Sequence, residues 1–114
     1  MSRERISQAL LSLGLSQTDS RVYLYLATNS PKKAKNIAKA LKITKQQLYP
    51  TLRNLKNKGI LTATSQRPAI YSAISFEKVI EQMIKAKMEQ SKAIKENKKN
   101  LLAVWRSLEF TKEK

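Results

Sequence analysis

Eleven side chains able to neutralise phosphate stand between Asp19 and Glu77 with no carboxylate among them: Arg21, Lys32, Lys33, Lys35, Lys39, Lys42, Lys45, Arg53, Lys56, Lys58 and Arg67. Charged surfaces that serve only solubility normally mix both signs. An acid-free run of this length therefore points to a polyanionic partner, each Lys or Arg displacing a condensed counterion from a phosphate. Gln46, Gln47 and Arg53 carry a second kind of chemistry, since Gln pairs with the edge of adenine and Arg grips guanine at two points. The whole chain shares the bias, with 23 Lys and Arg against 8 Asp and Glu in 114 residues, a formal charge of +15.

Other chemistries find few of the groups they need. The chain has no His and no Cys, so the commonest general base, the usual zinc ligands and any disulfide framework are missing together. Two glycines cannot build a phosphate-cradling loop, and no pair of carboxylates flanks a plausible cleft. No catalytic residue, metal or cofactor is expected. No run approaches the roughly 18 apolar residues of a membrane span, and the opening MSRERISQALLSL has no apolar core of a signal peptide. The expectation is a soluble, cytoplasmic, nucleoid-associated protein with no membrane partner.

The elements that must position these side chains follow from periodicity. Ile6, Ala9, Leu10 and Leu13 recur at helical steps and predict a first helix over Arg3 to Leu13, stopped by Gly14. Ser16, with Asp19 three residues on, caps a second helix whose inward side is Val22, Leu24, Tyr25 and Leu26. Asn29, Ser30 and Pro31 break the chain, and Ala34 to Leu41 predicts a short third helix with Ile37, Ala38 and Leu41 inward. Lys32, Lys33 and Lys35 lie near its start, where free amides favour an anion. After two residues Thr44 caps a fourth helix, Lys45 to Lys58, with Leu48, Leu52 and Leu55 on one stripe and Gly59 as its stop. Two helices joined this tightly, the second amphipathic and basic, read as a helix-turn-helix.

At 100° per residue the face opposite those leucines carries Gln46, Pro50, Arg53 and Asn57, with Lys45, Tyr49 and Lys56 on one flank. These residues, with Thr44 and Gln47 at the helix start, are expected in or beside the DNA major groove. Pro50, at the sixth helical position, removes a bond to the carbonyl of Gln46 and predicts a kink on the exposed side. Ile60 to Ser65 and Ala69 to Ile74 have strand composition and predict a two-stranded wing joined by Gln66, Arg67 and Pro68. Arg67 at its tip suits a narrow minor groove or a phosphate. Ser75 then caps one long helix, Phe76 to about Phe110, with no internal Gly or Pro.

Steps of four and three from Phe76 give that helix a seam containing Ile80, Met83, Ile94, Leu101, Val104 and Leu108, interrupted by Lys87, Gln90 and Asn97. Trp105, Leu102 and Phe110 add apolar surface that a lone helix cannot hide, so a second copy of the chain is its expected partner. Two domains are read: a winged helix-turn-helix over 1–75 and a dimerisation helix over 76–114. The fold class is mainly α with a small β-hairpin.

With these residues in view, Leu11 to Met88 resembles the winged-helix domain of the TrmB-type transcriptional regulators. The likeness rests on Leu13 to Ser16, the Val22-Tyr23 pair, Tyr49 and Leu52, Lys58-Gly59 and Arg67-Pro68. Leu48-Tyr49-Pro50 is also similar to regulators of the PadR type. The resemblance implies a dimeric, sequence-specific repressor or activator that contacts DNA through the Lys45 helix and the wing. Gln47 and Pro50 replace residues usually charged in the TrmB type, so its target site is not carried over. Members often continue into a sugar-binding domain, and this chain stops before one, so control through such a domain is not expected. The combined reading is a transcriptional regulator that binds double-stranded DNA as a homodimer. The rivals are an architectural or RNA-associated basic protein without sequence preference, and a membrane or protein anchor formed by the basic last helix.

Overall fold

The computed structural model describes residues 2–113, with the side chains of residues 3–109. Its order is α1 (Ser2–Ser12), α2 (Gln17–Ala27), β1 (Lys32–Lys33), α3 (Ala34–Leu41), α4 (Lys45–Asn57), β2 (Leu61–Ala63), β3 (Ile70–Ala73), α5 (Phe76–Glu96) and α6 (Lys98–Glu113). The chain divides into two compact units, Met1–Glu81 and Gln82–Lys114.

In the first unit, α2 is central and packs against α1, α3, α4 and β3. Its start is a complete capping box. The Asp19 amide donates to Ser16 Oγ at 3.0 Å, and the Ser16 amide donates to Asp19 Oδ2 at 3.1 Å, which satisfies two amides the helix start would leave orphaned. Helix ends are equally regular. Gly14 (φ 112), Lys42 (φ 56) and Gly59 (φ 76) turn the chain at positive φ, and the next amide in each case reaches five residues back: Leu15 to Leu10, Ile43 to Ala38 and Ile60 to Leu55, at 2.9–3.1 Å. This pattern satisfies the last free carbonyls of α1, α3 and α4.

The core is mainly apolar, with Asp19, Ser20 and Thr51 buried beside it. Leu10, Leu15, Val22, Tyr23, Leu26, Ile37, Leu48, Leu52, Leu55, Ile60, Leu61 and Val79 are all buried. Four inward assignments need correction: Leu24 and Tyr25 on α2 and Ala38 and Leu41 on α3 are only half-buried, and on α2 Tyr23 takes an interior place instead. The tyrosine can do so because its hydroxyl has a partner inside, donating to the carbonyl of Ile74 at 2.7 Å. Burial raises its pKa above the usual phenol value, because the charged form would lose its solvation.

The wing is larger than a hairpin. Leu61 pairs with Ala73 and Ala63 with Tyr71, and Lys32 also pairs with Tyr71 and Lys33 with Ile70, so the sheet has three antiparallel strands in the order β1-β3-β2. The strand signal of β1 was not visible in the sequence because it is two charged residues long and acquires its partner some 40 positions away.

In the second unit the expected single helix is divided. A one-residue turn at Asn97 separates α5 from α6. The physical reason lies in the Asn side chain: its Nδ2 donates to Ala93 O at 3.0 Å, the same carbonyl that accepts the Asn97 amide at 3.1 Å. A side chain that competes for its own helix's carbonyl weakens the ladder there. Bonding resumes at once, with the Leu101 amide on Asn97 O at 2.9 Å. Ile94, Leu101, Val104, Trp105 and Leu108 are each more than half exposed. Phe110 lies outside the described side chains.

Candidate nucleic-acid interface

α4 is set in place by three local devices. At its start the Gln47 amide donates to Thr44 Oγ1 at 3.1 Å while the Thr44 amide donates to Gln47 Oε1 at 3.2 Å, a second full capping box. On its inner side Leu48, Leu52 and Leu55 are buried, joined by Thr51, whose hydroxyl escapes an unsatisfied burial by donating to Gln47 O at 3.3 Å. The helix runs on through Pro50. That residue is exposed, as a ring pointing away from the core must be.

Between α4 and the wing lies a cleft lined by Lys33 and Lys35 at the start of α3, by Lys45, Tyr49 and Lys56 along one flank of α4, and by the strand-connecting residues Thr64 to Ala69 with Tyr71 of β3. Five of these side chains are cations, contributed by three separate parts of the chain, and none is a carboxylate. Cations lining one concave surface add their fields there and favour a polyanion in the cleft. The wing side is fixed by a reciprocal pair: the Thr64 amide donates to Ile70 O at 3.0 Å and the Ile70 amide donates to Thr64 Oγ1 at 2.9 Å. This pair carries Gln66, Arg67 and Pro68 at the tip.

The structure thus gathers Lys33, Lys35, Lys45, Tyr49, Lys56 and Arg67 into one cavity. Gln46 and Arg53 are exposed on α4 outside it, and Lys32 is half-buried in β1. Thr44 and Gln47 are engaged with each other. The Gln47 amide group keeps its Nε2 donors for a partner, whereas its carbonyl oxygen is already committed. Tyr71 and Gln66 were not singled out from sequence. Tyr71 offered a faint signal as an aromatic at an alternating strand position, but its side of the sheet depends on β1. Arg21, counted with the other cations, donates from Nη2 to Leu41 O at 2.8 Å, and Asn54 donates to Asp19 Oδ2 at 3.2 Å. Neither link has a local sequence signature.

Among the seam residues, Ile80 and Met83 are half-buried, while a shallow groove on the second unit is lined by Ala93, Ile94, Asn97, Asn100, Leu101 and Val104. Among the described residues no three His, Cys, Asp or Glu stand together in a way that could hold a metal ion, and no helix is long and apolar enough to cross a membrane.

Comparison with known proteins bears on what such a cleft serves. Residues 10–77 match the family described as the sugar-specific transcriptional regulator TrmB. The chain is 31% identical over 83 residues to the HTH-type sugar sensing transcriptional regulator TrmBL1 of Pyrococcus furiosus, an alignment covering 73% of this chain and 24% of that protein. It therefore spans about a quarter of that relative's length. Among solved structures it is similar to TrmBL2, an archaeal chromatin protein with a novel mode of DNA binding, at TM-score 0.74 and 24% identity over 95% of this chain and 44% of that one. It is also similar to the ST1889 protein of the thermoacidophilic archaeon Sulfolobus tokodaii, at TM-score 0.66 and 21% identity over 82% and 98%.

Proposed function

The chain belongs to the TrmB family of transcriptional regulators, and from that premise we propose that it binds duplex DNA as a homodimer and recognises sequence with α4. The observation that carries the reading is the cleft between α4 and the wing, where five cations converge without a carboxylate. A DNA strand's phosphates would run along it, with Lys33, Lys35, Lys45, Lys56 and Arg67 as neutralising groups. Gln46 and Arg53, on the neighbouring face of the same helix, would meet base edges. Residues 76–114 would form the dimerisation element, since Ile94, Leu101, Val104, Trp105 and Leu108 expose more apolar surface than an isolated helix sustains. Ile80 and Met83 extend the same seam.

Selection of bound duplexes from a random pool tests this reading. Recovery of a two-part site, bound roughly a thousandfold more tightly than random duplex, is the expected result. A second reading, an architectural protein that coats DNA without sequence preference, draws support from the likeness to a chromatin protein and from the commitment of Thr44 and Gln47 to capping. A discrimination below about tenfold would favour it.

A further inference from the structure

The first turns of α2 reach both helices of the helix-turn-helix. Asp19, buried at 7% exposure, accepts at Oδ2 from its own cap and from Asn54 Nδ2 on α4 at 3.2 Å. Two residues later Arg21 donates to the carbonyl of Leu41, the last residue of α3, at 2.8 Å. That carbonyl belongs to a helix end, where intrahelical partners run out, and a guanidinium donor makes the stronger, charge-assisted kind of bond. One link lies at the turn that leads into α4. The other lies ten residues beyond Thr44, about 15 Å along the helix. α4 is thus held directly at Asn54 and indirectly at its start, through the end of α3, and the two links together restrain its tilt.

We propose that Asp19 and Arg21 are positioning residues for DNA recognition, setting the seat of α4 through Asn54 and through the end of α3. This rests on α4 being the DNA-contacting helix. It takes Arg21 out of the set of cations that neutralise phosphate: although exposed, its guanidinium is directed to a backbone carbonyl on the helix that precedes the turn.

The test is equilibrium binding of the full chain to random-sequence duplex across a salt series, at a temperature where melting curves show every variant folded. A contact to phosphate and a positioning role separate on such a plot. The slope counts displaced counterions, and the affinity extrapolated to high salt reports the remaining contacts. For Arg21→Met the expected result is an unchanged slope with the extrapolated affinity lowered roughly threefold or more, as for disruption of a coupled network, and recovery in Arg21→Lys. Asn54→Leu should behave in the same way. A slope shallower by about 0.9 in Arg21→Met would make Arg21 a phosphate contact and overturn the assignment. Equal affinities for wild type, Arg21→Met and Asn54→Leu would make both links merely structural and also overturn it. A wild-type chain that binds no duplex would sink the DNA reading itself, whereas a binding wild type with indifferent variants sinks the positioning role alone.

Discussion

Salt dependence gives the DNA reading its most quantitative test. If each of the five cations lining the α4–wing cleft displaces one counterion, log K should fall against log salt with a slope of about −4.5 per bound protomer, and about −9 for a homodimer on two half-sites. Per protomer, raising salt from about 50 to about 200 mM then weakens binding by roughly 500-fold. Lys45→Ala removes one contact, so its slope should be shallower by about 0.9 per protomer and its loss over the same interval should be roughly 150-fold. Lys39, on α3 and exposed but not lining the cleft, is the control: Lys39→Ala carries the same change in net charge and should leave the slope as it was. Fluorescence anisotropy with a labelled duplex at four or more salt concentrations provides the slopes. Equal flattening by Lys39→Ala and Lys45→Ala would mean that net charge, not the cleft, drives association, and a wild-type slope shallower than about −2 would refute phosphate neutralisation by the cleft.

Three further outcomes follow from local geometry. Thr44→Ala removes the hydroxyl that accepts from Gln47 and should cost about 1 kcal/mol, read as a melting temperature lower by about 4–8 °C. Tyr23 has a raised folded pKa, so the folded state holds its proton more tightly than the unfolded chain. Its contribution is present below the ordinary phenol value and is lost as pH rises through the folded one, so denaturant midpoints should decline in strongly alkaline solution, and Tyr23→Phe should show less of this decline. Leu101→Glu places a charge on the exposed apolar groove of the second unit and should convert the proposed homodimer to monomer in sedimentation velocity while the helical circular dichroism of the chain persists. An unchanged sedimentation coefficient would remove Leu101 from the interface.

Much of the fold was legible because its signals are local. Ser16 with Asp19, Thr44 with its following helix, and Gly14 and Gly59 as stops are decided within five residues of chain, and each appears in the structure as read. The unread features are those decided at a distance. β1 exists because Tyr71 and Ile70 come alongside Lys32 and Lys33, and no periodicity announces a two-residue strand. Tyr23 was not among the residues read as inward, and it holds its interior place because Ile74, 51 positions on, supplies an acceptor. Arg21 was read as one of the phosphate-neutralising cations, and only tertiary placement turned it toward Leu41 and brought Asn54 to Asp19. Asn97 illustrates a different limit: helix propensity across Phe76 to Phe110 is high, yet one side chain competing for the Ala93 carbonyl divides the helix.

If α4 reads DNA as proposed, the placement of its side chains would link dimerisation to specificity. Lys45, Tyr49 and Lys56 project within one narrow sector of the helix, toward the wing, whereas Gln46 and Arg53 lie some 40–100° around it. Under the proposed function, affinity and discrimination would rest on different side chains. Thr44 and the Gln47 carbonyl are committed to the cap, and Pro50 offers no donor, so under the proposed function Gln46 and Arg53 would be the principal base-reading groups of one protomer. At about 1–3 kcal/mol per base contact, two contacts at the lower bound separate an operator from random duplex by only about thirtyfold. Two protomers double the contacts and raise that lower bound to about a thousandfold, the threshold of specific regulators. On this reading the apolar surface around Leu101 is a requirement of sequence recognition, and a chain made monomeric there should still bind DNA through its cleft while losing most of its preference for the operator.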